Sequence, residues 1–266
     1  MLAAAFAAVA VLVSVVWSVA SRGYSALTWT FLTKGPATGF LTTGGGIAHA
    51  IVGSVVIVAF AALFSLPVGV LIAIYTNELS RPSTARWVRL MLDVLNGLPS
   101  IVIGIFIYAL LIIGHQQSAL AASVALAIIM LPLVARSTQE VLALVPDSLR
   151  EASSALGVSR WRTVVGVILP ASLGGIFTGA TLAVARAAGE TAPLLFTSSL
   201  ATNVVSWDPR QALQTLPLQI FEDLENPDPA AHTQAWAAAL LLMSFVLVVS
   251  LLSKAVLARS RRKLSR

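Results

Sequence analysis

The stretch "PDSLREASSALGVSRWRTVVGVILP", residues 146–170, joins two strongly apolar segments. Its first half has helical periodicity: Leu149, Ala152, Ala155 and Leu156 fall on one face. Asp147 or Ser148 is placed to cap this helix, because such side chains accept bonds from the first free backbone amides. Glu151 is expected in the first turn, where the helix dipole favours an anion. Gly157 is expected to end the helix, since glycine takes the left-handed backbone that closes one at little steric cost. Trp161, flanked by Arg160 and Arg162, adds a large apolar surface. The prediction is a short amphipathic helix held at a membrane surface, with an apolar face that needs a cover. That cover is either lipid or a groove on a partner protein, and the periodicity leaves both open.

The surrounding composition establishes the membrane. Of the 266 residues, 58% are hydrophobic and 11% charged, with a mean hydropathy of +0.90. Soluble domains carry about 25% charged residues, so the chain is read as an all-α integral membrane protein. Six runs have the roughly 17–25 apolar residues that cross a bilayer as a helix. They cover 2–20, 48–75, 94–113, 120–135, 164–195 and 235–257, within a single transmembrane domain, 1–266. The fifth is longer than one crossing needs and is expected to tilt, or to break near Pro170 or Pro193. Residues 1–20 lack the basic start of a signal peptide and read as a retained span.

Basic residues orient the bundle. With both termini in the cytoplasm, 13 of the 17 lysines and arginines fall in inner segments, three in outer ones and Arg186 within a span. Such a bias favours that topology, although Arg22 directly after the first span would point the other way if read alone. The net charge of +6 is therefore a membrane signature rather than a nucleic-acid footprint. The tail "ARSRRKLSR" (258–266) reads as facing anionic inner-leaflet lipid. Two outer segments are long. One holds "TTGGG" (42–46), and the other holds Glu222, Asp223, Glu225 and Asp228, which read as a solvated acidic face.

The fifth span contains "ARAAGETAP" (185–193), with Arg186 and Glu190 at helical spacing i and i+4. Each charge near mid-bilayer costs about 2.5–3.5 kcal/mol on insertion scales. One reading is a buried ion pair that locks the helix against its neighbours. The other is an oxyanion path: guanidinium presents a planar fork of donors, and Glu190 both keeps the site from trapping the anion and accepts a bond from a protonated one. "NGLPS" (96–100) reads as a proline-shaped helix start, with a path-lining role as the alternative. Gly175 and Gly179 form a G-x-x-x-G pair suited to close helix packing. Ser198 and Ser199 lie beyond the charged pair, as anion contacts or as exposed loop residues.

"EASSALG" (151–157), followed by Val167, Leu169 and Pro170, resembles the EAA loop of bacterial ABC importer permeases. Glu151, Ala152, Gly157, Leu169 and Pro170 match in register, with Ser153 in place of an alanine and Val167 in place of an isoleucine. "ARAAGETAPLLFTSS" (185–199), "LNGLPSIVIGIF" (95–106), "LPLQIF" (216–221) and "HTQAWAAALLLM" (232–243) are similar to PstA-type permeases of phosphate-specific ABC importers. The resemblance implies a type I ABC importer permease fold in the bacterial inner membrane and ATP-driven import of inorganic phosphate. It implies that 147–162 is a coupling segment, with Glu151, Ala152, Ser153, Gly157 and Trp161 on an ATPase subunit. Arg186, Glu190 and Thr191 would line the substrate path. The implied partners are a sister permease of the PstC type, two copies of the ATPase and an extracytoplasmic phosphate-binding protein. The N-terminus reads as shorter than that of many such permeases.

Other functions fit less well. The sequence has no G-x-x-x-x-G-K-[ST] loop, so no cofactor is expected on this chain, and ATP with Mg²⁺ belongs on the partner ATPase. There is no cysteine, and His49, His115 and His232 lack metal-ligand spacing. No nucleophile–base arrangement supports an enzyme. A permease for sulfate or molybdate, or an autonomous transporter using Arg186 and Glu190 as a proton relay, remain the alternatives.

Overall fold

The computed structural model describes residues 2–36, 45–198 and 204–264, with side chains through Ala255. Thr42, Thr43, Gly44, Ser199 and Arg266 lie outside the described residues, as do the side chains of the basic tail. Every regular element described is helical. In chain order these are α1 (Leu2–Gly23), α2 (Trp29–Thr33), α3 (Ala48–Ile74), α4 (Pro82–Gly97), α5 (Ser100–Ile107), α6 (Ala119–Ala143), α7 (Asp147–Ala155), α8 (Arg160–Thr163), α9 (Leu169–Ala187), α10 (Leu194–Thr197), α11 (Leu216–Glu225) and α12 (Pro229–Leu264). Wider π-helical turns extend α3 through Leu79 and α5 through Ile112, and join α8 to α9.

Five of these segments are long and apolar enough to cross a membrane: 2–26, 48–79, 119–143, 160–187 and 229–255. The third expected span, 94–113, is not one straight helix. It is α4 and α5 meeting at 93°. Pro99 is the cause: the residue before a proline is pushed out of the helical region, and Leu98 is extended (φ −71°, ψ 135°). Residues 94–97 therefore belong to the end of amphipathic α4. The fourth span runs two turns past its expected end, to Ala143, and the sixth begins at Pro229. The fifth ends at Ala187 rather than 195.

Helix α6 is the centre of the bundle and the most enclosed span. Ala122, Ala125, Leu126, Met130 and Ala135 on it are fully buried. Lipid offers no hydrophobic drive between helices, so small residues and close van der Waals packing must hold the bundle together. The contacts follow that rule. Helix α3 lies along α6, with Gly69 against Val134, and α9 lies on α6 through Gly175 and Gly179. A methyl group on Gly175 would sit 2.5 Å from Val141 Cγ1, and one on Gly179 would sit 2.6 Å from Ser137 Oγ. The G-x-x-x-G pair is thus a packing device. Helix α12 covers α9, and α1 lies outside it, packed on α12 with most side chains uncovered. Arg22 at the end of α1 stacks its guanidinium 4.8 Å from the Trp236 ring.

Gly175→Leu should separate α6 from α9 and destabilise the detergent-solubilised protein by about 1–3 kcal/mol, the usual cost of overpacking. A thermal melt unchanged from wild type counts against this packing.

Candidate functional site

Helix α7 begins at Asp147 with Pro146 in the N-cap position, so neither Asp147 nor Ser148 caps it. Proline offers no side-chain acceptor, and Asp147 instead accepts a bond from Arg150 Nη1 at 3.0 Å. Glu151 accordingly falls in the second turn and is exposed. The C-terminus follows expectation. Gly157 has φ +71°, its N–H donates to Ser154 O (3.0 Å), and Val158 N–H donates to Ser153 O (3.1 Å). This is the paired closure of a helix that needs a left-handed residue. Ser153 is buried and its hydroxyl lies 2.7 Å from Thr163 Oγ1, which pins α7 to α8. Ala152 and Ala155 are exposed, as are Leu149, Leu156 (82%) and Trp161 (55%). The apolar face of α7 is therefore uncovered.

Arg150 fastens α7 to the bundle. Its Nε donates to Glu78 Oε2 (3.2 Å) and its Nη2 to Glu78 Oε1 (2.8 Å). The rest of the fork reaches Val145 O (2.7 Å), Leu142 O (3.0 Å) and Asp147. All five N–H donors are engaged. Two of the acceptors are carbonyls at and just beyond the end of α6, and Glu78 closes α3, so one side chain ties three elements. The carboxylate of Glu78 holds the guanidinium pKa above its ordinary value, against the smaller opposing effect of burial. Beside this strut, Asn77 donates to Gln139 O and accepts from Arg89, while Arg136 bonds Asp93 and Gln139. These contacts join the ends of α3, α4 and α6.

The charged pair sits elsewhere, at mid-height. Arg186 lies in the last turn of α9, and Glu190 lies beyond the helix, so the two do not share one helical face. The break has a local cause. Pro193 cannot donate and would clash with the carbonyl four residues back, and Gly189 N–H closes a tight turn on Arg186 O at 3.1 Å. A cation in the last turn also meets the negative end of the helix dipole. Arg186 Nε stands 3.9 Å from Glu190 Oε1, beyond hydrogen-bond length, with side-chain exposures of 65% and 20%. Both line a cavity of about 130 Å³ that also takes Asn96 and Ser100 from the α4–α5 break. Ile129 and Leu133 form its α6 wall and flank the midpoint of that helix. Two broken helices thus meet at the cavity, and a methyl group on Gly104 of α5 would sit 2.7 Å from Pro193 Cα. Interrupted helices at mid-membrane are a common way to build transport sites, because irregular backbone there survives only where protein or water satisfies it.

Residues 65–262 match the family of binding-protein-dependent transport system inner membrane components. The chain belongs to this family. It is a multi-pass inner-membrane protein and a component of an ABC transporter complex. It is 41% identical to the phosphate transport system permease protein PstA of Mycobacterium leprae over 255 residues, covering 92% of this chain and 83% of that one. It is 40% identical to the PstA of Yersinia pestis over 241 residues, covering 90% and 80%. Among solved structures, the MetNI methionine ABC transporter in an inward-facing conformation matches with a TM-score of 0.61 at 21% identity, over 81% of this chain and 94% of that one. That likeness gives the fold, a type I ABC importer permease.

In this permease the expected path residues divide. Arg186 and Glu190 share the cavity, whereas Thr191 does not line it, and its carbonyl instead starts α10 by accepting from Leu194 and Leu195. Ser198 is fully buried and donates to Leu213 O, so it is a packing residue rather than an anion contact. The NGLPS element starts α5 at Ser100 and also gives Asn96 and Ser100 to the cavity wall. Glu78 was missed by sequence reasoning. Its signal is that it is the first acidic residue of the chain and closes an otherwise apolar span.

The acidic face at the α11 end is likewise corrected. Asp228 caps α12 by accepting from Ala230 N–H at 2.9 Å. Asp223 is turned inward and buried. Gln219 donates to it (2.8 Å) and accepts from His49 Nε2 (2.9 Å), while Gln214 donates to Glu222 (2.6 Å). Burial pushes the Asp223 carboxyl up to about 6, the bond from Gln219 opposes this, and neighbouring Glu222 adds to the rise. Among the described residues no His, Asp and Glu group is arranged for a metal ion.

Glu78→Gln should loosen α7. The expected cost is about 2 kcal/mol, below the roughly 3–5 kcal/mol of a fully buried broken pair, because Arg150 is 27% exposed. Amide exchange should rise in α7 and not in the middle of α6, and equal protection in both proteins contradicts the strut. Asp223 binds its proton more tightly when folded, so its contribution is fully present below the unfolded carboxylate pKa and is lost as pH rises through about 6. Asp223→Asn should therefore melt higher than wild type at neutral pH, with the gap closing in acid. A pH-independent gap rejects this.

Proposed function

We propose that this chain is the permease subunit of an ATP-driven importer of inorganic phosphate, and that the anion passes Arg186. The single observation that carries the reading is the mid-height cavity. It presents one loosely paired guanidinium, one carboxylate and two neutral polar side chains where two helices break. Two charges at such a depth are costly, and a bidentate pair would offset that cost best. The 3.9 Å separation leaves the fork of Arg186 free for an oxyanion. Glu190 favours a protonated oxyanion such as phosphate, whose P–O–H donates to the carboxylate. Sulfate, fully ionised at neutral pH, offers only acceptors. The high exposure of Arg186 in the single chain is consistent with a sister permease of the PstC type completing the site.

The uncovered face of α7 supports an external motor. Leu149, Ala152, Leu156 and Trp161 form a ridge suited to a groove on an ATPase subunit, with Glu151 and Gly157 at the same segment. We place α7 and both termini on the cytoplasmic side, in accord with the basic-residue bias. Two ATPase copies would bind and hydrolyse ATP with Mg²⁺, drawing the coupling helices together and reorienting the spans. An extracytoplasmic binding protein would deliver phosphate at the α11 end. Arg150, fully bonded to α3 and α6, makes α7 move with the bundle rather than against it.

Radiolabelled phosphate uptake by the assembled transporter tests the path, with sulfate as control and membrane assembly verified. Arg186→Ala should lower uptake about 10- to 100-fold, the worth of a charge-assisted bond, and Glu190→Gln should weaken it less. Uptake by Arg186→Ala equal to wild type removes Arg186 from the path.

A further inference from the structure

Arg186 can attract an oxyanion but cannot tell one tetrahedral anion from another, since charge and fork geometry suit phosphate and sulfate alike. The other half of the cavity is better placed to do so. Asn96 and Ser100 line it from the opposite helix break, and neither side chain has a hydrogen-bond partner among the described residues. Their surroundings are Leu98, Ile103, Ile129 and Leu133. Asn96 is exposed and Ser100 half-buried, so both are open to an incoming ligand, and neither side chain is needed to start α5, whose N-cap position is held by Pro99. Two unpartnered polar groups facing a charged pair across about 130 Å³ are arranged for something that passes between them.

Building on the phosphate reading above, we propose that Asn96 and Ser100 are specificity-determining residues of the oxyanion site. The amide of Asn96 donates through its NH₂ to an ionised oxygen and accepts at its carbonyl from a P–O–H group. The hydroxyl of Ser100 does either. A fully ionised sulfate satisfies the donors but leaves the Asn96 carbonyl and the Glu190 carboxylate facing oxygens without protons. The neutral wall therefore rejects the anion that Arg186 alone would accept. Because Asn96 and Ser100 flank the 93° bend, and Arg186 and Glu190 lie at the start of the other break and within it, a bound phosphate bridges the two.

The test uses the full chain, assembled with its transporter partners in proteoliposomes, and labelled inorganic phosphate with sulfate as competitor. Asn96→Leu and Ser100→Ala should each raise KM about fivefold, the worth of one neutral hydrogen bond, and Asn96→Leu should let excess sulfate compete. Asn96→Asp places a carboxylate beside the anion. That carboxylate, with an ordinary pKa of about 3.9, is ionised at neutral pH, so Asn96→Asp should take up phosphate less well than Asn96→Leu. A purely structural role predicts the reverse, with the near-isosteric Asn96→Asp disturbing uptake less than Asn96→Leu, and that result overturns the proposal. So does a wild-type KM with intact sulfate rejection in Asn96→Leu. If Asn96→Leu fails to assemble, the KM of Asn96→Asp decides, and a wild-type value overturns the proposal. Wild-type uptake that Arg186→Ala abolishes, with both Asn96 variants unaffected, sinks this proposal alone. Absence of phosphate uptake by the wild type overturns the transport reading with it.

Discussion

A polypeptide that leaves the helical path inside a membrane exposes N–H and C=O groups that lipid cannot satisfy. Among the described residues this permease does so at Leu98–Pro99 and at Ala188–Pro193, and the two breaks face each other across one small cavity. Each break has a proline close by, Pro99 at one and Pro193 at the other. The close approach of Gly104 to Pro193 holds the broken segments together. Arg186, Glu190, Asn96 and Ser100 are then brought to one place by the geometry of interruption rather than by any one helix face.

The same bundle carries a second polar system at the α7 end. Arg150 uses its whole fork on Glu78, Asp147 and the carbonyls of Leu142 and Val145. From Glu78 the contacts continue through Asn77 and Gln139 to Arg89, Arg136 and Asp93 on α4 and α6. Helix α4 ends at Asn96, beside the cavity. An unbroken run of hydrogen bonds and helix therefore connects the uncovered surface of α7 with the wall of the site. Apolar packing is non-directional and lets helices slide, whereas fork-shaped and amide contacts have one geometry. The polar groups sit where a fixed relation between α7 and the spans is needed.

Much of this was legible in the residues. The apolar runs located the spans, Gly157 marked the end of α7, and the glycines of α9 marked a close helix contact. The charged pair announced a special place because charges are rare in apolar segments. Other readings failed for identifiable reasons. The i, i+4 spacing of Arg186 and Glu190 suggested a shared helical face, but α9 ends at Ala187, between them. Asp147 looked like a cap, yet Pro146 took that position and Asp147 turned to Arg150. Asp223 read as solvated within an acidic run, and Gln219 drew it inward.

What the sequence determined by itself is the class of molecule: an all-helical membrane protein with a surface helix in search of a partner and an ionic element in its fifth span. Those are local properties, set by hydropathy, periodicity and backbone preference over a few turns. The tertiary structure alone decided which polar residues meet. Glu78 finds Arg150 from 72 residues away, and Asn96 shares a cavity with Arg186 from 90 residues away. No local rule encodes such pairings, because they depend on where bent helices cross, and that is settled by the packing of every span against α6.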